Sequence, residues 1–375
     1  MLKVLTAALK EAVKALEKFD NSRDAISPEE YFRVSLAKET LLLEKSAESL
    51  KLLLRLKPEA TGDQASWREG LCVNPRTFEK IVRSLPERPD DPLELDLGDS
   101  ALGVAGRHFL PGSPGGDFPP LPPVESDLAW MTLDSELVGD LAFTAPARLD
   151  WRYPHILNGI RVGEDIAATN ARRIHCVRGR GFWNKKSIIP GPLIYLLLRL
   201  NPEDAVLGLG KSGRWYCRKD PWLLIGAPTP RYRQRYPDYH HLLDTRYASV
   251  FELSRTEIIA ALAEATVHQS PREPHFNILR LTFDPRTRRL GLVLGNDRDG
   301  YYRGSLAAKI IRTSDEPCCI NINLNYFRDA VSGLAGKSIF LSFDDSQTQI
   351  RVTGREPDKI AVIMPIRLEE EDPTL

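Results

Sequence analysis

Residues 166–202 contain no Asp or Glu, although the chain has 51 acidic residues among its 375. The basic residues of this stretch are Arg172, Arg173, Arg178, Arg180, Lys185, Lys186 and Arg199, with Phe182 and Trp183 among them. Guanidinium and ammonium groups bind phosphate oxygens, and aromatic rings among them are typical of nucleic-acid surfaces. We interpret the stretch as facing nucleic acid. The alternative is a basic surface or the rim of a pocket.

A second set of basic residues lies near the N-terminus. Lys10, Lys14 and Lys18 recur every four residues, which places them along one edge of a predicted helix. Three further basic residues share one face of the next predicted helix: Arg76, Lys80 and Arg83. These six side chains could contact phosphates, or they could form the solvated flanks that are common on exposed helices.

Few residues suggest catalysis or metal binding. His240 and His241 follow Asp238, but adjacent histidines point in different directions and no third ligand has suitable spacing. The acidic run at 369–372 is interpreted as a solvated chain end rather than a cation site. Gly-rich phosphate loops, nucleophile elbows and paired-carboxylate motifs are not found. The sequence therefore predicts a protein that is not an enzyme and has no metal or cofactor.

Composition sets the broad class. The chain is 42% hydrophobic and 27% charged, as in globular proteins with sizeable cores, and its length suits two or three domains. Basic and acidic residues balance at 51 each, so the net charge predicts no partner. Five cysteines without a Cys-x-x-Cys pair argue against a disulfide framework and a zinc site. With no signal peptide or membrane span visible, we expect a reducing cytoplasm.

The elements that must position these residues follow a repeating order. Apolar periodicity predicts helices over residues 6–19, 75–85, 133–143, 192–200, 255–266 and 325–334, with Asn74 as the N-cap of the second. Residues 31–56 are compatible with a helix or with strands, and only the wider pattern favours strands. A single strand is predicted over residues 102–110.

Helix, β-meander, helix and β-meander occur three times, with a period of about 120 residues that indicates tandem domains. The predicted fold class is α+β, three tandem domains that each place two helices on antiparallel sheets. The boundaries are 1–125, 126–248 and 249–368, followed by an acidic tail at 369–375. The last apolar run, 359–368, predicts a strand buried on both faces, in which regular pairing ends at Pro365 because proline has no N–H.

Four motifs, at residues 157–174, 236–239, 322–327 and 362–368, together resemble those of the β subunit of bacterial DNA polymerase III, the bacterial DNA sliding clamp. Residues 362–368 (V-I-M-P-I-R-L) are similar to the family's closing V-V-M-P-M-R-L. Residues 322–327 resemble its F-N-x-x-Y-x helix entry, and 236–239 (Y-P-D-Y) resemble F-P-D-Y. Residues 157–159 with 168–174 resemble L-N-G…A-T-D-G-H-R-L, but the glycine and the histidine are replaced by Ala171 and Arg172.

The resemblance implies a head-to-tail homodimeric ring of clamp domains around duplex DNA, associated with the nucleoid and with no catalytic role. It implies that the DNA-facing residues are Lys10, Lys14, Lys18, Arg76, Lys80, Arg83, Arg178, Arg180, Lys185, Lys186 and Arg199. The implied dimer-interface candidates are Phe109, Leu110 and Val267. An alternative is a clamp-fold paralogue that does not encircle DNA and acts as a regulatory module or decoy for clamp-binding proteins.

The resemblance also implies a hydrophobic groove in which short peptides of DNA polymerase and clamp-loader subunits dock. Its matching positions are Leu157, Thr169, Arg173, Ile174, Pro237, His241, Leu242, Phe276, Asn323, Tyr326, Val362, Ile363, Met364, Pro365, Ile366, Arg367 and Leu368. Apolar walls would bury one or two anchor side chains of a peptide, and polar groups would satisfy its backbone. Plain core packing is the alternative for Met364 and Ile366.

Overall fold

The computed structural model describes residues 1–20, 31–47, 49–61, 67–86, 91–149, 155–183, 186–227, 235–269, 277–296, 300–313 and 316–367. In these ranges the helices are α1 (Thr6–Asp20), α2 (Pro75–Ser84), α3 (Ser135–Thr144), α4 (Gly191–Arg199), α5 (His240–Leu243), α6 (Arg255–Thr266) and α7 (Leu324–Gly333). No helix in the described ranges is long and apolar enough to cross a membrane.

The strands of the first half are β1 (Leu2–Leu5), β2 (Phe32–Ala37), β3 (Thr40–Ser46), β4 (Leu50–Leu56), β5 (Ala60–Thr61), β6 (Leu71–Val73), β7 (Pro92–Leu97), β8 (Ala101–Val104), β9 (His108–Pro114), β10 (Ala129–Thr132), β11 (Gly159–Val162), β12 (Ile166–Thr169) and β13 (Arg173–Val177). Those of the second half are β14 (Ser187–Pro190), β15 (Val206–Leu209), β16 (Trp215–Lys219), β17 (Trp222–Gly226), β18 (Val250–Ser254), β19 (Ile278–Asp284), β20 (Arg289–Asn296), β21 (Gly300–Arg312), β22 (Cys318–Asn323), β23 (Ser338–Ser342), β24 (Ile350–Thr353) and β25 (Lys359–Ile363). Helices combined with antiparallel sheets confirm the predicted α+β class.

The chain divides into two compact units. Unit 1 comprises Met1–Val138 and Ile189–Arg231, and unit 2 comprises Gly139–Ile188 and Tyr232–Leu375. The sheet of unit 1 has the order β10-β15-β16-β17-β4-β3-β2-β6-β9-β8-β7-β1-β5. In unit 2 the order from β11 onwards is β11-β12-β13-β25-β24-β23-β18-β21-β20-β19-β22. The division into three tandem domains stays a prediction.

Residues 31–56, for which helix and strands were both possible, form the meander β2-β3-β4. Leu41 lies opposite Leu56, and Leu43 lies opposite Leu54. All four side chains are buried. Strand β4 is central in its sheet, because it pairs with β3 on one side and with β17 on the other. The packing of its buried leucines in this position outweighs their helix propensity.

Side-chain caps fix where the helices start. The Asn74 carboxamide oxygen accepts from the Thr77 N–H at 3.1 Å, which confirms the predicted N-cap of α2. The Asp134 carboxylate accepts from the Leu137 N–H at 2.8 Å. Asp134 therefore caps α3, and the prediction that this helix begins at residue 133 is wrong by two residues.

The single strand predicted over residues 102–110 is also wrong, because the segment forms the hairpin β8-β9. Ala105 and Gly106 have φ angles of 56° and 61°, in the left-handed region. A left-handed pair of this kind reverses the chain in a tight turn. Because the first of these two positions is an alanine, Gly106 is the only residue of the pair that is typical of turns.

Strand β25 is buried in the sheet of unit 2, as its apolar run predicted. It pairs with β13 on one side and with β24 on the other. The regular ladder ends at Ile363, two residues before Pro365, so the prediction of a strand over 359–368 is wrong beyond residue 363. Beyond it, the Met364 N–H donates to the Arg172 carbonyl at 2.9 Å and the Ile366 N–H donates to the Asn321 carbonyl at 2.7 Å. Pro365, which has no N–H, lies between these two bonds.

Candidate functional site

An apolar floor forms where β13 and β25 meet. Ile174 lies directly opposite Val362 in the ladder, and both are buried. They belong to a cluster that also contains Leu243 and Ile360. Leu242, at the end of α5, is only partly buried and packs against this cluster. Leu242 therefore leaves apolar surface exposed beside the cluster, against which an additional apolar side chain could pack.

Arg173 borders this floor and is held by three contacts. One guanidinium N–H donates to the Asp329 carboxylate at 2.6 Å, and another donates to the Pro146 carbonyl. The guanidinium carbon lies 4.2 Å from the centre of the Tyr326 ring. These contacts fix the plane of the guanidinium. Arg172 is exposed, so Arg173, and not Arg172, makes these contacts.

A polar rim surrounds Tyr326. The Asn170 amide donates to the Tyr326 hydroxyl at 3.1 Å, while its carbonyl oxygen accepts from the N–H groups of Arg172 and Arg173 at 3.0 Å each. The Asn323 side chain accepts from the Tyr326 N–H at 3.2 Å and caps α7. One side-chain network therefore joins the β12–β13 turn to the start of α7.

The segment 364–366 forms a lip beside the floor. Its backbone is fixed by the bonds to Arg172 and Asn321, yet the Met364 side chain is 40% exposed. Pro365 and Ile366 are half-buried. A flexible thioether on a fixed backbone adapts to differently shaped apolar partners. Full core packing, the alternative for Met364 and Ile366, does not describe either side chain.

The remaining groove candidates differ in their exposure to solvent. Leu157 and Thr169 are buried, and Ile363 is a core residue of β25. Pro237, His241 and Arg367 are exposed. Phe276 and Leu368 lie outside the described residues, as does the tail at 369–375.

Sequence reasoning missed two residues that contact the groove candidates Tyr326 and Arg173, namely Asn170 and Asp329. Asp329 follows Tyr326 by three positions in α7, which places both on one helix face, so its spacing could have indicated it. Asn170 occupies the acidic position of the family motif and hydrogen-bonds to the backbone of its own turn. That turn-forming role is common for asparagine and would have been its signal.

Beside Arg173, His175 is fully buried and neutral. Its imidazole Nδ1–H donates to the Phe143 carbonyl at 2.7 Å, and its ring stacks on the Phe143 ring. Burial, reinforced by the positive charge of Arg173, lowers the pKa of His175 to about 3. A second positive charge at this position is therefore excluded at neutral pH.

Asp140, on α3, is a buried carboxylate between two cations. The Lys359 ammonium lies 3.0 Å from one of its oxygens, and the Arg180 Nε lies 3.2 Å from the other. Burial opposes the charge on Lys359, but the hydrogen bond and charge of Asp140 and the charge of Glu356 outweigh it and raise the pKa of Lys359. Arg180, a candidate DNA contact, is thus paired with a buried carboxylate although its own side chain is partly exposed.

The basic candidates of unit 1 collect around α1 and α2, which pack side by side. Lys10, Lys14 and Lys18 line one pocket of about 510 Å³. Arg76 and Lys80 are exposed on α2. Two others are exposed and make internal contacts, since Arg83 pairs with Glu17 and Arg199 donates to the Tyr195 hydroxyl.

The basic candidates of unit 2 are more often paired with acids. Arg178 lies 2.7 Å from the Asp244 carboxylate, and Arg180 contacts Asp140 as described. Lys186 is exposed, and Lys185 lies outside the described residues. The acid-free run of the sequence therefore meets carboxylates that come from other segments of the chain.

The three dimer-interface candidates differ in exposure. Phe109 on β9 is 70% exposed, and Val267 at the end of α6 is 81% exposed. Leu110, at 1%, belongs to the core of unit 1. Single exposed apolar side chains are common on protein surfaces, so exposure leaves Phe109 and Val267 available for a contact, whereas Leu110 is not.

No family model matches the sequence. The chain is 24% identical over 350 residues to the β sliding clamp of Synechococcus elongatus, an alignment that covers 88% of this chain and 91% of that protein. The crystal structure of the DNA polymerase III β subunit of Pseudomonas aeruginosa superposes with a TM-score of 0.78 at 17% identity, covering 98% of this chain and 99% of that one. The chain has the fold of a bacterial sliding clamp. The resemblance that the motifs indicated is thereby confirmed.

Other sliding-clamp structures agree. The β sliding clamp of Caulobacter crescentus matches with a TM-score of 0.77 at 20% identity, over 98% of this chain and 99% of that one. The sliding-clamp fold extends through residues 1–125, where the sequence motifs are weakest. At this level of identity the sequence has diverged while the fold has been kept.

Proposed function

We propose that this chain is a DNA sliding clamp, a ring that encircles duplex DNA and tethers DNA polymerase and other replication or repair proteins. In this role it is a non-catalytic processivity factor of a DNA polymerase holoenzyme, acting in the cytoplasm on the nucleoid. The observation that carries the proposal is the clamp fold over almost the whole chain, combined with the groove constellation in unit 2.

The groove supports the tethering half of the proposal. Ile174 and Val362 supply a floor for an apolar anchor, and Leu242 and Met364 flank it with partly exposed apolar surface. Tyr326, Asn323 and Arg173 provide fixed polar groups at its rim. An apolar pocket with a few fixed polar groups suits a short peptide of a polymerase or a clamp loader.

The exposed basic side chains support the encircling half. Lys14, Arg76 and Lys80 extend into solvent from α1 and α2, where they could face phosphates. We further propose a head-to-tail homodimer of two chains with three clamp domains each, at the boundaries given above. Phe109 and Val267 are the exposed apolar side chains available for its interface.

Retention on DNA tests the proposal. A ring can thread onto the ends of a linear duplex, and DNA ligase can then close the duplex into a circle. We expect the protein to stay on the closed circle during gel filtration in 1 M NaCl and to leave once a restriction enzyme cuts the circle. A protein held by about six phosphate contacts would instead lose roughly a thousandfold in affinity between 50 and 200 mM salt.

Equal loss from closed and cut circles would rule out encirclement. Light scattering provides a second, independent readout, since the ring requires a dimer. A monomer that still binds partner peptides would support the non-encircling regulatory module instead.

A further inference from the structure

Unit 2 contains a pocket of about 410 Å³ that is lined by five arginines: Arg178, Arg246, Arg312, Arg351 and Arg355. We call it the arginine pocket. Asp244 is the one acidic residue of its described lining, and Leu243 and Ile360 form apolar parts of its wall. None of the candidate groove residues lies in this lining.

The sheet register makes the arginine pocket a continuation of the groove floor. Alternate side chains of a strand point to the same face. Val362 and Ile360 therefore share a face of β25, opposite Arg351 and Thr353 of β24. Ile360 belongs to the apolar cluster that contains Val362, so the same cluster forms the floor of the groove and part of the wall of the arginine pocket.

The charge of the arginine pocket is poorly compensated. The Arg351 guanidinium donates to the Leu243 and Thr245 carbonyls at 3.3 and 3.1 Å, and Arg312 donates to the Tyr247 carbonyl. Carbonyl oxygens orient a guanidinium without neutralising it. In the described part of the chain, only Arg178 among the five lies within 4 Å of a carboxylate, that of Asp244.

We propose that the arginine pocket binds aspartate or glutamate side chains that flank the apolar anchor of a peptide docked in the groove. This inference rests on the proposed tethering function. Along β25, Ile360 of the pocket wall lies about 7 Å from Val362, at about 3.3 Å per residue. An extended peptide would therefore place an acidic residue in the arginine pocket two or more positions from its anchor. Guanidinium groups bind carboxylates through paired, charge-assisted hydrogen bonds.

An apolar wall next to oriented arginines favours a peptide over a nucleic-acid backbone. The side chains of an acidic peptide can bury their methylene groups against Leu243 and Ile360 while their carboxylates reach the arginines. A nucleic-acid backbone has only its sugars to place there, and these have less continuous apolar surface than the side-chain methylenes of a peptide. Nucleic acid is accordingly the competing outcome of the test.

Fluorescence anisotropy with three labelled peptides tests the proposal on the full-length protein. The neutral probe is Gly-Ser-Gly-Leu-Ser-Leu-Phe-Gly-Ser-Gly, and the two acidic probes replace the Gly-Ser-Gly segment before or after the apolar core with three aspartates. We expect one acidic probe to bind about tenfold more tightly than the neutral probe at 50 mM salt, with the difference shrinking at 300 mM.

The charges of the exposed residues Arg246 and Arg355 can be reversed by mutation without disturbing a described hydrogen bond. We expect the double variant Arg246→Glu with Arg355→Glu to remove the advantage of the acidic probe and to leave neutral-probe affinity unchanged. The matched control reverses two exposed arginines in the β19–β20 turn, Arg286→Glu with Arg288→Glu, and should keep the advantage.

The outcomes separate the two proposals. Equal affinity of all three probes would overturn the arginine pocket and leave the groove in place. Binding of no probe would overturn both. Loss of oligonucleotide binding in the double variant, with peptide affinities unchanged, would assign the arginine pocket to nucleic acid and overturn the peptide proposal.

Discussion

The guanidinium of Arg173 lies 4.2 Å from the centre of the Tyr326 ring and joins β13 to α7. One of its N–H groups donates to Asp329, one helical turn beyond Tyr326. The contact therefore combines cation–π stacking, an ion pair and a hydrogen bond to a carbonyl in one side chain. It sets the position of the Tyr326 ring at the rim of the proposed groove.

Replacing Arg173 with lysine should be costly. A lysine ammonium cannot stack on Tyr326 while also donating to Asp329 and to the Pro146 carbonyl. We expect Arg173→Lys to lower the free energy of unfolding by about 1–3 kcal/mol and to weaken peptide binding. Denaturant titration and calorimetry measure the two effects. The neighbouring change Arg172→Lys, at an exposed side chain, is the control, and equal effects of both changes would contradict the assigned role.

Truncation of the lip should separate peptide binding from DNA retention. Met364→Ala with Pro365→Ala removes exposed apolar surface beside the floor and leaves the basic helices of unit 1 unchanged. We expect peptide affinity to fall about tenfold or more, as for removal of a central interface side chain. Retention on closed DNA circles should be unaffected. Unchanged peptide affinity in calorimetry would remove the groove assignment.

Local patterns predicted much of this fold, but they did not predict how its basic residues pair with distant carboxylates. Asn74 correctly predicted the start of α2, because an N-cap bonds to residues only a few positions away in the sequence. The acid-free run around Arg178 and Arg180 indicated a strongly positive surface, but Asp244 and Asp140 come from distant segments to pair with them. The composition of a short stretch of sequence does not show which distant residues pair with it in the fold.

The two asparagine caps form a matched pair for testing the groove. Asn74 and Asn323 cap α2 and α7 with the same hydrogen bond, at 3.1 and 3.2 Å. Each change to alanine should cost about 1 kcal/mol of stability. Only Asn323→Ala should also weaken peptide binding, because only Asn323 lies beside Tyr326. Equal peptide affinities of the two variants would show that Asn323 acts solely as a cap.

His175 should make stability depend on pH. Above pH 6.5 it is neutral in both the folded and the unfolded chain. Between pH 6.5 and about 3 the unfolded chain binds a proton that the folded chain does not. Stability should therefore fall as the pH falls, by up to roughly 1.4 kcal/mol per pH unit from this group. Between pH 7.5 and 4.5, the free energy of unfolding of His175→Asn should decline less steeply than that of the unaltered protein. An identical decline in both proteins would show that His175 does not cause the pH dependence.

Ala171 occupies a backbone conformation that suits glycine, with a φ angle of 69° in the turn between β12 and β13. The family motif has glycine at this position, where this chain has alanine. Left-handed geometry costs a non-glycine residue about 1–2 kcal/mol, and glycine avoids this strain. Glycine also makes the unfolded chain more flexible, which lowers the free energy of unfolding by about 0.4–1 kcal/mol.

We therefore expect Ala171→Gly to stabilise the protein by about 0.5–1 kcal/mol. Ala105→Gly, at the other left-handed alanine, should behave in the same way because its φ angle is 56°. The control Ala8→Gly lies within α1 and should destabilise by about 1 kcal/mol, since glycine is a poor helix former. Denaturant unfolding of the three variants measures the differences. A loss of stability in Ala171→Gly would mean that the turn is not strained by its alanine.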